Sequence, residues 1–249
     1  IMSLTGEPDQ PPVRVGVTLI DLGTGMLTYS GIVTALHARS SGKAAGQRVD
    51  VSLLETAVTL LGFHATTYLA TGQVASREGS GYSTLAPYGS YRAADGDLMM
   101  GAPTQLAWGK LCAALGSPAE LAVDEFATNE LRCQHEPELR DALEAMLARK
   151  PAAHWLALFE AAGLPCAPIQ TVDQVMTDPQ VLANDMVVAS KGDDGEEVRL
   201  VGLPFKLSQT PGSPGAAPPR PGQHNHQVLV DLLGYTDAQI QQLKDEGAL

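Results

Sequence analysis

The stretch VGVTLIDLGTGMLTYSGI, residues 15–32, places one acid at a break between two apolar patterns. Residues 13–20 follow two prolines and are rich in Val and Ile, which predicts a buried strand. From Thr24 onward the apolar residues recur at helical spacing, until Ser40-Ser41-Gly42 ends the pattern. Asp21 is therefore expected between the end of a strand and the N-terminus of a helix.

Two interpretations of Asp21 follow from this position. An Asp at a helix start commonly satisfies free N–H groups and faces the positive end of the helix dipole. The same carboxylate would also lie at the rim where α/β sheets bind ligands, and an ionised carboxylate can act as a nucleophile. Gly23 and Gly25 would let backbone N–H groups approach a reacting acyl oxygen. The residues alone leave both interpretations open.

The stretch also resembles motifs of two other classes of protein. LIDLGTG is similar to the phosphate loop of actin- and Hsp70-like ATPases, but there the chain turns back into a second strand, whereas a helical pattern begins here. Phosphatases of the haloacid dehalogenase type carry a second Asp two residues after the first. Gly23 occupies that position, so the acid/base partner is missing. Both classes are disfavoured.

Composition excludes several kinds of partner. The chain has 249 residues, a net charge of −12 and no Lys/Arg cluster, which disfavours binding to nucleic acid or to an anionic membrane surface. No window reaches membrane-spanning length without polar breaks, and no signal peptide is visible. Three irregularly spaced cysteines favour a reducing, cytoplasmic location. His224 and His226 lack further ligands for a metal, so none is expected. The opening Ile1-Met2 suggests that the natural start lies upstream.

The rest of the chain alternates helices and strands, beginning with a short strand predicted over residues 49–51. Ser52 and Glu55 have the spacing of a capping box, which predicts a buried helix running to about Ala70 and stopped by Gly72. A β-hairpin is predicted over 88–92 and 98–102, followed by helices over 104–115, 137–149 and 151–162. An extended piece over 165–169 and two brief helices after Thr171 and Asp178 come next. Strands over 186–189 and 198–201 surround an acidic turn at 193–197, and helices over 226–233 and 236–244 close the chain. This order predicts an α/β protein in which residues 1–75 belong to a large domain, 76–185 form a smaller α+β domain, and 186–249 return to the large domain.

Five segments, in order along the chain, carry a family resemblance. They are MSLTGEPDQPPVRVGVTLIDLGTGM, GQRVDVSLLETA, APYGSYRAADGDL, GLPCAPIQTVDQVMTDPQV and PGQHNHQVLVDLLGYTDAQI. The sequence resembles the class III CoA-transferases, the family of carnitine, formate and bile-acid CoA-transferases. The acid of that family's Asp-x-x-Thr-Gly turn matches Asp21, with Thr24 and Gly25 in place.

The resemblance implies a covalent reaction. Asp21 would attack the thioester of an acyl-CoA to give a mixed anhydride, and the released thiolate would then form an aspartyl-CoA thioester. A second carboxylic acid would take over the activated position and leave as the new CoA ester. The substrates would be an acyl-CoA and a free carboxylic acid, with coenzyme A as a substrate and no metal or redox cofactor.

The family fold implies a Rossmann-like large domain interrupted by a smaller one, in an interlocked homodimer. The N-terminal half of that fold, which holds most CoA contacts, is missing from this chain. The family's glycine-rich loop falls on Gly79 and Gly81, and its lower glycine content disfavours oxalate as acceptor. Gly23, Thr24, Gly25, Gly79, Gly81 and Tyr88 are the expected substrate- or CoA-binding residues.

Two alternatives stay open beside transfer. α-Methylacyl-CoA racemases share the fold and use an acid in this turn as a general base, paired with a His from the N-terminal half. A truncated relative could instead serve as a non-catalytic binding partner. Of the remaining residues, His64 is expected to be a hydrogen-bonded core residue and Cys166 a small buried thiol. Arg39 and Lys43 are expected to be solvated charges.

Overall fold

A computed structural model describes residues 1–192, 195–215 and 217–249, and the chain forms two compact units, Ile1–Ile169 and Gln170–Leu249. The first unit contains α1 (Leu19–Ser40), α2 (Leu53–Leu60), α3 (Phe63–Thr71), β1 (Tyr88–Arg92), β2 (Asp97–Gly101), α4 (Gln105–Ala114), α5 (Asn129–Gln134), α6 (Glu136–Leu147), α7 (Ala152–Ala161) and β3 (Cys166–Pro168). Short 3₁₀ turns lie at Met2–Leu4, Ala119–Leu121 and Asp124–Phe126. The second unit contains α8 (Val172–Thr177), α9 (Pro179–Ala183), β4 (Val187–Lys191), β5 (Glu197–Val201), α10 (Asn225–Gln227), a π-helical turn at Val228–Leu232, and α11 (Asp237–Asp245).

The strands predicted over residues 13–20 and 49–51 are wrong. Residues 13–18 are irregular, and Leu19 and Ile20 already belong to α1. Residues 49–51 likewise have no regular structure. A strand needs a neighbour that supplies hydrogen-bond partners, and no described segment of the chain pairs with either stretch. The predicted end of the first helix, at Ser40, is confirmed.

The helix predicted from Ser52 to Ala70 is two helices. Gly62, at φ 55° and ψ −127°, breaks the chain between α2 and α3 in a conformation that side chains other than glycine's rarely adopt. Ser52 caps α2 by accepting from the N–H of Glu55, and Gly72 ends α3 with a left-handed φ of 74°, both as predicted. The predicted burial is wrong, because only Thr56 is fully buried in these two helices.

The hairpin and the helices after it form the core of the first unit. β1, β2 and β3 make an antiparallel sheet in which Tyr88 lies opposite Gly101 and Met100 lies opposite Cys166. Buried side chains from this sheet and from α4, α6 and α7 pack together; the largest that are fully buried are Tyr91, Leu98, Leu111, Leu139, Leu143, Leu147 and Phe159. The predicted hairpin and three helices are confirmed to within two residues at each end.

The second unit is held by caps and a two-stranded sheet. Thr171 and Gln174 form a capping box on α8, and Asp178 caps α9. β4 and β5 pair antiparallel, with Val187 opposite Val201, which confirms the two predicted strands. The predicted acidic turn between them includes Asp193 and Asp194, which lie outside the described residues.

Candidate functional site

Asp21 is the third residue of α1 and is exposed to solvent. Thr18 precedes the helix but makes no side-chain capping bond. The first N–H groups of a helix have no carbonyl partner, because no turn precedes them. In α1 these are the N–H groups of Leu19, Ile20 and Asp21 itself. The carboxylate therefore lies at the positive end of a helix of 22 residues, where an anion is stabilised.

Gly23, Thr24 and Gly25 lie inside α1 rather than in a loop before it. In an α-helix their N–H groups point to carbonyl oxygens of the preceding turn, so the expected approach of the two glycine N–H groups to a reacting oxygen is not available in this conformation. Thr24 also donates its hydroxyl proton to the carbonyl of Ile20, at 2.7 Å. A Cβ on Gly23 would meet Leu60 and Thr56 at 3.3 Å, so this glycine allows α1 to pack closely on α2.

The predicted glycine-rich loop, residues 79–84, and the segment that leads from it to Tyr88 border a cavity of about 550 Å³. Gly81 and Tyr88 line it, together with Ser80, Tyr82 and Ser83 of the same loop. Gly79 has a left-handed φ of 59°, and a Cβ there would lie 2.6 Å from the carboxylate of Glu7. The structure therefore brings Gly81 and Tyr88 together in one wall, with Gly79 beside it. Asp21 is not among the residues that line this cavity.

Gly101 was missed by the sequence reasoning and sets the position of the Tyr88 ring. A Cβ on Gly101 would lie 2.7 Å from Cδ2 of Tyr88, its partner across the β1–β2 ladder. The ring can lie flat on β2 only because this position has no side chain. Its strict opposition to Tyr88 in a hairpin was the signal available in the sequence.

Aromatic rings connect the loop to α3. The ring of Phe63 lies 5.7 Å from that of Tyr82, which in turn lies 6.1 Å from that of Tyr88. His64 stacks at 4.1 Å on Phe63, and both line a second cavity of about 380 Å³ on the side of the loop that faces α3. His64 was expected to be a hydrogen-bonded core residue, and this is corrected. Its ring is half-buried at a cavity wall and packs on the ring of Phe63.

Charged side chains on the cavity wall are largely paired. Arg140 bonds Glu136 at 2.7 Å, lies 3.7 Å from Glu144, and covers the ring of Tyr91. Burial works to lower the pKa of Arg140, but the hydrogen bond and charge of Glu136 outweigh it and the pKa is raised. Burial raises the pKa of the Tyr91 phenol far above its ordinary value. The wall therefore makes it harder to remove a proton from either group than it is in water.

Arg132 and Asn129 of α5 hold the loop from behind, and sequence reasoning missed both. Arg132 is fully buried and donates from Nε to the carbonyl of Ala86 at 2.8 Å. Its other nitrogens bond the carbonyls of Phe126 and Pro103 and the side chain of Gln105. Burial lowers the pKa of this guanidinium, because no carboxylate among its contacts replaces the lost water.

No group of three or more His, Cys, Asp or Glu side chains in the described ranges is arranged to hold a metal ion. His226 instead lies 3.3 Å from Asp237 in an exposed pair. Burial raises the pKa values of Cys112, Cys133 and Cys166, and all three are free thiols. Cys166 is only half-buried, with its Sγ 3.7 Å from the carbonyl of Leu156, so the expectation of a fully buried thiol is corrected.

One helix of the described residues is long and apolar enough to cross a membrane. This is α1, whose most apolar window has a mean hydropathy of 1.3. Core helices of globular proteins and signal sequences have the same length and composition, so α1 alone does not indicate a membrane-spanning segment. Polar residues, Asp21 among them, interrupt the apolar stretch.

The model of CoA-transferase family III matches residues 1–225, and the chain belongs to this family. A crystal structure of a CAIB/BAIF family protein from Brucella suis superposes with a TM-score of 0.81 at 30% identity, over 93% of this chain and 60% of that one. The family fold confirms the predicted α/β class, although every strand pair among the described residues is antiparallel.

Individual relatives carry more specific names than the family does. The chain is 34% identical to an acyl-CoA transferase of Fusarium pseudograminearum, with all of this chain and 55% of the relative covered. It is 32% identical to the succinyl-CoA:glutarate CoA-transferase of Mus musculus, over 100% of this chain and 57% of that enzyme. A succinyl-CoA–D-citramalate CoA-transferase of Chloroflexus aurantiacus is also 32% identical, with 61% of its length covered. The chain thus spans between half and two thirds of the length of these relatives.

Proposed function

We propose that this chain supplies the nucleophile of a CoA-transferase that moves CoA from an acyl-CoA thioester to a free carboxylic acid. The observation that carries the proposal is the family match over residues 1–225. The resemblance of Asp21, Thr24 and Gly25 to that family's Asp-x-x-Thr-Gly turn supports the choice of nucleophile. The exposure of Asp21 in the first turn of α1 supports it, because a nucleophile must be reachable and anionic.

The reaction runs through two kinds of intermediate on Asp21. Its carboxylate attacks the thioester carbonyl of the donor, giving an aspartyl-acyl anhydride and CoA thiolate. The thiolate attacks the aspartyl carbonyl, which releases the donor acid and leaves an aspartyl-CoA thioester. The acceptor carboxylate then attacks that carbonyl, and the expelled thiolate takes the acceptor acyl group and restores Asp21. CoA is a substrate, and the energy of the thioester bond is conserved at every step without a further cofactor.

The α1 residues would act together with the loop. Gly79, Gly81 and Tyr88 would border the acyl or acceptor group, since Gly81 and Tyr88 already share the wall of the 550 Å³ cavity. Gly23 would serve by packing α1 on α2, and Thr24 and Gly25 by shaping the turn behind the nucleophile. Several relatives are named for transfer to dicarboxylic acids such as glutarate and mesaconate, so a dicarboxylate is the acceptor to test first.

We also propose a homodimer of the interlocked family type, acting in the cytoplasm. The accessible surface is 17001 Å², against about 12,600 Å² expected for two separate units of these sizes. Many of the exposed large apolar residues lie on α1–α3; they include Leu22, Met26, Tyr29, Leu54, Val58 and Leu69. Apolar surface of this extent favours contact with another polypeptide. The three free thiols suit a reducing compartment. The family large domain, of which residues 1–75 and 186–249 would be parts around a smaller domain at 76–185, would be completed by the rest of the family fold.

The test is trapping of the intermediate. Incubation with succinyl-CoA and hydroxylamine should convert Asp21 to a hydroxamate, detected by peptide mass spectrometry, and should inactivate the enzyme. Asp21→Asn should lower kcat by about 10³-fold or more, since a missing nucleophile cannot be replaced by its amide. Asp50→Asn, at an exposed ion pair with Arg48, is the matched control and should stay unmodified and active.

Other outcomes separate the alternatives. Full activity in Asp21→Asn, with no hydroxamate at that position, would refute the proposal. Exchange of solvent deuterium into the α-carbon of a 2-methylacyl-CoA, without any acceptor acid, would indicate a racemase. Calorimetric binding of CoA without turnover would indicate a non-catalytic relative.

A further inference from the structure

The segment that leads into Tyr88 is held by side chains of α5. The Oδ1 atom of Asn129 accepts from the N–H of Ala86 at 3.1 Å, and its Nδ2 donates to the carbonyl of Thr84 at 2.9 Å. Arg132 donates to the carbonyl of Ala86 at 2.8 Å. Three hydrogen bonds therefore fix the backbone two to four residues before Tyr88.

Asn129 is not needed to start the helix it lies on. The hydroxyl of Thr128 already caps α5 by accepting from the N–H of Leu131 at 3.2 Å. Asn129 is the first residue of the helix, and both polar atoms of its side chain contact the loop instead. Asparagine is the shortest side chain that carries a donor and an acceptor on separate atoms, which suits the N–H of Ala86 and the carbonyl of Thr84.

Arg132 makes this attachment rigid. It lies three residues after Asn129, on the same face of α5, and its side chain is fully buried. It also bonds the carbonyls of Phe126 and Pro103 and lies 4.7 Å from the ring of Trp108. The loop is therefore bonded to the core of the first unit, although its other face borders open cavities.

We infer that Asn129 is a positioning residue for the substrate cavity. By fixing Thr84 and Ala86 it keeps Tyr82 and Tyr88, which flank that segment, in the cavity wall. Asn129 does not line the cavity and acts only through the loop. The inference rests on the proposed function in taking the cavity as the substrate's. That Asn129 fixes the loop follows from the hydrogen bonds alone.

The experiment compares two substitutions that spare the helix with a control on the same turn. Asn129→Ala removes both loop contacts, and Asn129→Asp keeps the acceptor but places a second oxygen against the Thr84 carbonyl. An acid at this position favours the helix N-terminus, so Asn129→Asp weakens the loop without weakening α5. Glu130→Gln, at the adjacent exposed residue, changes the charge of the turn without touching the loop.

Two readouts on the full chain decide the inference. Amide hydrogen exchange at Ala86 should accelerate about tenfold or more in Asn129→Ala, which removes the acceptor of this N–H. The acceleration should be smaller in Asn129→Asp, which keeps the acceptor and loses only the contact with Thr84, and exchange should not change in Glu130→Gln. In the transferase assay, kcat should fall about tenfold while the KM for the CoA ester stays within about twofold, because a displaced loop costs alignment more than binding.

Unchanged exchange at Ala86 would overturn the inference, as would faster exchange with an unaltered kcat. An inactive wild-type chain would contradict the proposed function, and the exchange of Ala86 would then still decide whether Asn129 holds the loop.

Discussion

At the residue scale, Arg132 shows how a buried charge can organise a site without a counterion. Its guanidinium bonds three backbone carbonyls from separate segments, at Ala86, Pro103 and Phe126. Arginine suits this position because its planar fork presents five donors in fixed directions. No buried side-chain polar atom of the described residues lacks a hydrogen-bond partner, so each nitrogen of the guanidinium has at least one acceptor.

Removing this side chain should destabilise the first unit. Arg132→Met keeps similar bulk but leaves three carbonyls without their donor, and we expect a loss of about 3 kcal/mol or more in the free energy of unfolding. Urea titration followed by circular dichroism measures it. Arg149→Met, at an exposed arginine, is the control and should stay within about 0.5 kcal/mol of wild type. Equal stability of the two variants would contradict the role given to Arg132.

At the element scale, helix starts are defined by capping side chains. Ser52, Thr171 and Asp178 were predicted to start helices, and Thr104 and Thr236 were placed at the first residue of predicted helices. Thr128 caps α5, a helix that was not predicted. Such signals are local, because a cap and the N–H it binds are two or three residues apart. The break at Gly62 was not predicted, because a glycine within an apolar helical pattern is compatible with a continuous helix as well as with two.

The cap of α9 gives stability a specific pH dependence. Hydrogen bonds from Gln170, and from the N–H groups of Gln180 and Val181, lower the pKa of Asp178. A lowered pKa in the folded state means that the carboxylate stabilises the fold above its ordinary pKa of about 3.9 and loses this effect as the pH falls through the lowered value.

Asp178→Ala should therefore lower the urea midpoint of the full chain at neutral pH, and the deficit relative to wild type should shrink as the pH falls below the ordinary Asp range. Asp178→Asn retains an uncharged cap, so its midpoint should lack this contribution to the pH dependence. A deficit in Asp178→Ala that is constant with pH would show that the charge of the cap does not matter.

At the scale of the whole molecule, the distribution of apolar surface differs sharply along the chain. Leu143 of α6 is fully buried, whereas Leu54 of α2 is 74% exposed and Leu69 of α3 is 83% exposed. These leucines have similar sequence surroundings. The difference arises because α6 packs under the β1–β2 hairpin within this chain, while the outer faces of α1–α3 are not covered by the described residues.

Replacing the exposed leucines should alter association and leave the fold intact. We expect Leu54→Glu/Leu69→Glu to shift the chain from dimer toward monomer in light scattering, with an unchanged urea midpoint, since neither side chain is packed. Leu143→Ala is the contrasting control and should cost about 2–5 kcal/mol of stability with little effect on association. A wild-type chain that is monomeric at high concentration would contradict the proposed homodimer.

The sequence by itself determined the family, the position of Asp21 at the start of a helix, the hairpin with its following helices, and most of the caps. Each of these depends on interactions between residues close in the chain or on an ordered set of motifs. The tertiary structure alone decided that residues 13–20 do not form a strand, that Gly62 divides a helix, that His64 faces a cavity, and that Asn129 and Arg132 hold the loop before Tyr88. The contacts of Asn129 and Arg132 join residues more than forty positions apart, and a strand forms only where a neighbouring strand exists. A pattern of residue types along the chain does not encode which surfaces meet.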